Sequence, residues 1–183
     1  MTLAWVREVN PRWDSDKQRI IGHTPDAFQL PFHGGDLLVG EWWYVAEQVE
    51  GFTERTLAYG RLDITWGGDA EILVAVDPER HEQGIGTFVL TKLEEEARAR
   101  GVNYVYNTIR DHAGRDLVHD WLVVRGFRGA VDGDLRKRVG TPITPVRVAG
   151  RSPEPYDPKA DVGGLGPGDE VQGAYVNVED HRF

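Results

Sequence analysis

Cysteine is absent from this chain of 183 residues, which removes disulfides, thiolate metal ligands and a cysteine nucleophile together. A chain built without disulfides fits a reducing compartment, and a cytoplasmic location is expected. Serine is almost absent: only Ser15 and Ser152 occur, and neither sits in the Gly-x-Ser-x-Gly turn of a serine hydrolase. No apolar stretch approaches the roughly 20 residues that span a bilayer. The N-terminus, MTLAWVREVN, lacks a basic segment followed by a hydrophobic one, so neither a membrane partner nor a signal peptide is expected. Positive charge is also in short supply. The formal charge of −9 argues against an electrostatic hold on nucleic acid and leaves cationic ligands permitted. Neither GxGxxG nor GxxxxGK occurs, and there is no internal repeat or coiled-coil heptad.

What is present centres on residues 69–101. The apolar run Ile72–Val76 reads as a buried strand, followed by the polar loop DPERHEQ and then Gly84-Ile85-Gly86-Thr87. A helix over 87–100 comes next, with Phe88, Leu90, Leu93 and Ala97 on its apolar face and Lys92, Glu95, Glu96 and Arg100 on its wet one. Gly101 is suited to end it. Two glycines at a strand-to-helix junction let backbone N–H groups approach a ligand, and the helix start adds unpaired donors and the positive end of its dipole. Such a loop suits phosphate.

The length allows one domain with a sizeable core. A short strand is expected over 2–9, then a polar segment of helical leaning with Asp14 or Ser15 as its cap and Gly22 as its breaker. Residues 40–48 and 55–64 read as an antiparallel pair turned at Gly51-Phe52, with Gly60 permitting a bulge or a close backbone approach. The run Trp42-Trp43-Tyr44 predicts a strand covered on both faces. Another strand is expected over 103–109, parallel to 71–76 because a helix lies between them. A second helix follows over 114–125, with Leu117, Val118, Trp121, Leu122 and Val124 as its buried side, and Phe127 begins a further strand. The LRKR run at 135–138 reads as a solvated face. Residues 1–140 form the expected domain. Residues 141–183 are expected to form a Pro/Gly-rich arm with a final strand over 171–179, packed on the same domain or exchanged with a partner protomer in a homodimer.

Three stretches lie in the order and spacing of a known family. PERHEQGIGT (78–87), preceded by the strand from Glu71, resembles motif A of the GCN5-related N-acetyltransferases. HDWLVVRGF (119–127) resembles their motif B, and residues 42–64 resemble the hairpin before motif A. The resemblance covers roughly residues 36–130. It implies an α/β fold: a single-domain mixed, splayed sheet with helices on both faces, the acyl-CoA N-acyltransferase fold. It implies an enzyme that transfers an acetyl group from acetyl-CoA, its co-substrate, to a primary amine by direct attack in a ternary complex. The acceptor would be a small-molecule or peptide amine, with a cationic small molecule favoured by the charge.

Residue by residue, the resemblance assigns coenzyme A to backbone on Leu73, Val74 and Val76 and to His81, Gln83, Gly84, Ile85, Gly86 and Thr87. It assigns the general base to Glu71, whose ordinary alternative is an ion pair with Arg61. Two departures stand out. His81 occupies a position where the family usually carries Arg or Gln, and Arg80 is a neighbouring substitute. Leu122 occupies the position of the usual tyrosine acid, leaving Tyr106, His119 or Tyr44 to stand in. Trp42, Tyr44 and Phe32 are expected to line the acceptor pocket. No metal is expected, because Asp111, His112, Asp116, His119 and Asp120 match no ligand pattern. These departures keep a second reading open, a catalytically inactive coenzyme A-binding or assembly module. A nucleotide-binding protein of another α/β class is a third.

Overall fold

Among the described residues, six strands lie side by side in chain order: β1 (Thr2–Arg7), β2 (Glu41–Val49), β3 (Phe52–Ile64), β4 (Ala70–Val76), β5 (Tyr104–Asn107) and β6 (Leu135–Arg138). The computed structural model describes residues 2–28, 30, 32–49, 52–129 and 133–140, all within the unit Met1–Pro142. The arm and closing strand expected within 141–183, and their exchange between protomers, fall outside the described residues.

Neighbouring strands are antiparallel except β4 and β5. These two are parallel because α3 (Ile85–Ala99) carries the chain back between them. Their ladder is short. It joins Ala70 to Val105 and Glu71 to Tyr106, whereas β4 stays paired with β3 from Ala70 to Val76. Beyond Glu71 and Tyr106 the two strands part and the sheet splays. The Asn107 side-chain amide donates to the Ile72 carbonyl at 3.0 Å, bridging the first step of the gap.

Helices cover both faces, as expected. Ile20 and Ile21, at the end of α1 (Ser15–Ile20), pack with Trp42, Tyr59, Leu73 and Ala75 on one face. Val89, Leu93 and Ala97 of α3 pack with Trp43, Val45 and Ile72 on the other. Consecutive tryptophans are therefore both buried, Trp42 at 1% and Trp43 at 2% exposure, because successive side chains of β2 point to opposite covered faces. Asp14 caps α1, accepting from the Lys17 N–H at 2.8 Å. The fully buried Lys17 ammonium bonds Glu8 at 2.8 Å and Asp14 at 2.9 Å and lies 4.5 Å from the Tyr59 ring centre. A short helix α2 (Pro25–Phe28) follows.

Gly60 is a site of close approach, and the bulges of β2–β3 lie elsewhere, at Val45/Ala46 and Glu47/Gln48. A Cβ on Gly60 would stand 2.8 Å from Trp5 Cη2, 3.1 Å from Val89 and 3.2 Å from Leu93. Trp5 itself stacks on Trp43 with ring centres 5.6 Å apart and meets Phe88 edge-on.

Three expectations need correction. Phe127 starts no strand: its ring is fully buried, and the next residue, Arg128, makes only an isolated bridge to Arg136. The partner of β5 is instead LRKR. It alternates as an edge strand with Leu135 buried and Arg136 and Arg138 placed over the rings of Tyr106 and Tyr104. In α4 (Arg115–Val124), Leu122 is buried but Leu117 and Val124 are 78% and 83% exposed.

The exit from β4 is held by a buried carboxylate. Asp77 is 1% exposed and accepts from Arg19 of α1, from Arg55 of β3 at 2.8 Å and from the Glu79 N–H at 3.1 Å. One side chain thus ties α1, β3 and the turn after β4 together. Burial opposes the charge on Asp77, but the Glu79 N–H and the two guanidinium groups outweigh it and hold the carboxyl below the usual aspartate range.

Gly60→Ala is expected to destabilise the fold by about 1–3 kcal/mol through overpacking, read as a lower urea midpoint at unchanged slope. A midpoint equal to the parent's would mean that Trp5 yields freely. Asp77→Asn is expected to cost on the order of 1–3 kcal/mol at neutral pH. A depressed carboxyl pKa contributes stability only while the group is ionised. The difference between parent and variant should therefore hold steady above about pH 4 and shrink as the pH falls through the lowered value. A difference that stays constant throughout acid titration would contradict the ion-pair account.

Candidate functional site

A cleft of ≈ 800 Å³ opens where β4 and β5 separate. Its lining comes from both faces of the sheet. Ile20, Ala27 and Phe28 form the α1–α2 end, while Gly84, Gly86 and Arg125 form the α3–α4 end. Between them lie Ile72, Val74 and Val76 of β4, whose edge toward β5 has no strand beside it beyond Glu71 among the described residues. Buried backbone donors and acceptors need partners, so a cleft walled by an unpaired strand edge is suited to an extended ligand with amide groups.

The loop from β4 to α3 turns sharply into the α3–α4 end. After the Pro78–Arg80 turn, Glu82 and Gly84 both take left-handed backbone angles, with φ of 64° and 79°. Gly84 precedes the first turn of α3 and supplies no side-chain cap. The N–H groups of that turn therefore lack intrahelical acceptors and remain available to an anion. Gly86 borders this end closely: a Cβ there would meet Trp121 at 3.4 Å and Val76 at 3.5 Å, ordinary contact distances.

Seven of the nine residues expected to hold coenzyme A line this cleft: Val74, Val76, His81, Gly84, Ile85, Gly86 and Thr87. Leu73 is buried on the opposite face with Trp42 and Ala75, and Gln83 is exposed outside the lining. The His81 ring donates through Nε2 to the Val76 carbonyl at 3.2 Å, so that nitrogen is engaged within the chain. Arg80 lies 3.8 Å from Glu47.

The expected catalytic residues are dispersed. Glu71 and Tyr106 are opposite one another at the apex, the last pair before the strands part. The Glu71 carboxylate accepts from Arg61 at 2.9 Å. Burial, then the charge of Glu71, pushes the Tyr106 hydroxyl pKa up. His119 lies on α4 beside Asp120 at 3.1 Å, and none of these three is in the lining. The expected acceptor residues sit behind the wall. Trp42 is core, its indole donating to Val39 at 2.8 Å, while Tyr44 and Phe32 pack against the same cluster. Phe32 also lines a smaller cavity of ≈ 230 Å³ with Trp13 and Phe28.

Two side chains of the cleft carry chemistry that sequence reasoning passed over. His112, on the loop between β5 and α4, is half-buried in the lining. Its Nδ1 lies 2.9 Å from the Arg110 carbonyl, which can only accept, so Nδ1 carries the proton and neutral His112 presents a lone pair at Nε2. Nε2 stands 3.3 Å from where a Cβ on Gly114 would be, so the glycine leaves that edge uncovered. Arg125 reaches from the end of α4 to the start of α3, donating to Thr87 Oγ1 at 2.7 Å through Nη2 and 3.2 Å through Nε. Its guanidinium lies 4.1 Å from the Trp121 ring centre, and partial burial lowers its pKa. The i, i+4 spacing of Trp121 and Arg125 was readable as a contact pair; their meeting with Thr87 was not. Among the described residues no group of three or more His, Asp or Glu is arranged to hold a metal ion.

A sequence profile described as the acetyltransferase (GNAT) family matches residues 14–122. Solved structures of similar fold include the ribosomal-protein-S18-alanine N-acetyltransferase from Escherichia coli. It is 16% identical with a TM-score of 0.51, over 76% of this chain and 96% of that one. The IAA acetyltransferase from Bacillus cereus ATCC 14579 is 15% identical with a TM-score of 0.51, over 75% and 99% of the two chains. At such identities the likeness is one of fold. No curated protein matches the chain in sequence.

Proposed function

The chain belongs to the GNAT family of acetyltransferases, and from that premise we propose that it transfers an acetyl group from acetyl-CoA to a primary amine within one ternary complex. The observation that carries this reading is the divergence of β4 from β5 into a cleft that reaches both faces of the sheet. One end has the backbone donors of a helix start, suited to a diphosphate. The other has the apolar side chains Ile20, Ala27 and Phe28, suited to an amine carried on an apolar body. Two substrates can thus meet from opposite sides.

Acetyl-CoA brings the activated acyl group: the amine nitrogen bonds to the thioester carbon, the C–S bond breaks, and one proton passes overall from nitrogen to sulfur. The strand edge Ile72–Val76 aligns the thioester arm and supplies an N–H toward the developing oxyanion. His112 accepts the amine proton at Nε2. Of the three histidines in the lining, His23 and His81 are exposed and His112 is the half-buried one, with its tautomer set by Arg110. Glu71, bonded to Arg61 at the apex, is the rival for this role. Leu122 is 2% exposed in the core, so no hydroxyl serves the thiolate from that position. A thiolate is a good enough leaving group to depart without one.

Calorimetry should show micromolar acetyl-CoA binding to the parent and at least a hundredfold loss in Gly86→Glu. The backbone of Gly86 is helical and tolerates a side chain, which would direct a carboxylate at the loop. A folded parent that binds no acetyl-CoA would refute the reading. Once a screen of amines has found an acceptor, His112→Gln should lower kcat at least tenfold and leave the acetyl-CoA Kd unchanged. A larger loss in Glu71→Gln than in His112→Gln would return the base to Glu71. Binding without turnover on any amine would favour the assembly module.

A further inference from the structure

We infer that Arg125 binds the diphosphate of coenzyme A, supplying from the end of α4 the cation that the loop before α3 lacks. The inference rests on the reading that the cleft takes coenzyme A. Four observations on this chain lead to it.

The loop has no uncommitted cation of its own. His81 holds the Val76 carbonyl, and Arg80 lies beside Glu47. Arg125 lines the same end of the cleft and makes no ion pair with a carboxylate among the described residues. By contrast, Arg19, Arg55, Arg61 and Arg100 each hold a carboxylate. A cation in the cleft without an acid partner among the described residues, in a chain of net charge −9, is a position that an anionic ligand would complete.

Its orientation is set before any ligand arrives. The guanidinium lies on the Trp121 ring, donates to the Trp121 carbonyl at 2.9 Å through Nη1, and grips Thr87 Oγ1 through Nη2 and Nε. Guanidinium has five N–H donors, and these contacts use three, leaving two for an anion. Thr87 belongs to the first turn of α3, whose free N–H groups face the same region. Charge, spare donors and helix start therefore converge from two elements. Held planar on an aromatic ring, arginine also loses little freedom on engaging two oxygens.

A purely structural role, with Arg125 closing the end of α4, makes a different prediction, and direct binding separates the two. The probes are coenzyme A and dephospho-coenzyme A, which keeps the diphosphate and lacks the 3′-phosphate. Arg125→Gln, with thermal unfolding as a check on the fold, should weaken both by the same factor, about 10–100-fold. It should also flatten the salt dependence of Kd, since one charge–phosphate contact is lost. Arg125→Lys, which keeps the charge without the fork, should fall between parent and Gln variant, and decides the matter if the Gln variant does not fold. Unchanged affinity for either probe in Arg125→Gln overturns the inference. Loss for coenzyme A alone would move the contact to the 3′-phosphate and overturns it as stated. An equal loss with an unchanged salt slope would mark Arg125 as structural. A folded parent that binds neither probe would instead refute the reading of the cleft.

Discussion

The ladder between β4 and β5 ends after Glu71 and Tyr106, and the site depends on that ending. Had pairing continued, Val74 and Val76 would be interior to a closed sheet and no passage would join its faces. The parting leaves a strand edge that must be satisfied by something other than a neighbouring strand. It also aims the end of β4 at a loop whose left-handed residues, Glu82 and Gly84, turn the chain into α3. Under the proposed reading, alignment of the acyl arm and binding of phosphate would both follow from one local break in the sheet.

Ion pairs keep the rims of this opening in position. Asp77 joins α1, β3 and the exit of β4, and the buried Lys17 joins α1 to β1 through Glu8. Removing charges from water is costly, and such pairs are weak evidence for stability taken alone. Their value here is geometric. An apolar contact would tolerate sliding, whereas a carboxylate bound by two guanidinium groups and a backbone N–H accepts few arrangements. The α1–α2 end of the cleft is thereby held against the strand that carries the loop.

At two positions where the family carries functional side chains, this chain has residues with other contacts. Leu122 brings core packing where an acid is usual in the family, and His81 is turned back onto β4. In the proposed reading the proton acceptor is His112 of the β5–α4 loop, and the cation is Arg125, which has no carboxylate partner among the described residues. Both come from the chain after β5, not from the loop and strand of residues 71–87.

Much of this was legible in one dimension. The strand of Ile72–Val76, the GIG turn and the helix after it follow from apolar periods of 2 and 3.6 and from a backbone angle that favours glycine. All three are set by residues within a few positions of one another, as is the Asp14 cap. Adjacent tryptophans likewise announced a strand with both faces covered. The false steps came where neighbours decide. Phe127 is strand-like in type but is a core plug, Leu117 and Val124 are apolar but exposed among the described residues, and LRKR looks solvated yet carries Leu135 into the core. The contact of Arg125 with Thr87 spans 38 residues and exists only because α4 ends over the start of α3. Local sequence determines the glycine turn and the helix start at residues 84–87 because helix starts and turns are short-range objects. Tertiary structure alone decides which charge faces that loop, because charges from distant segments meet only when the helices that carry them have packed.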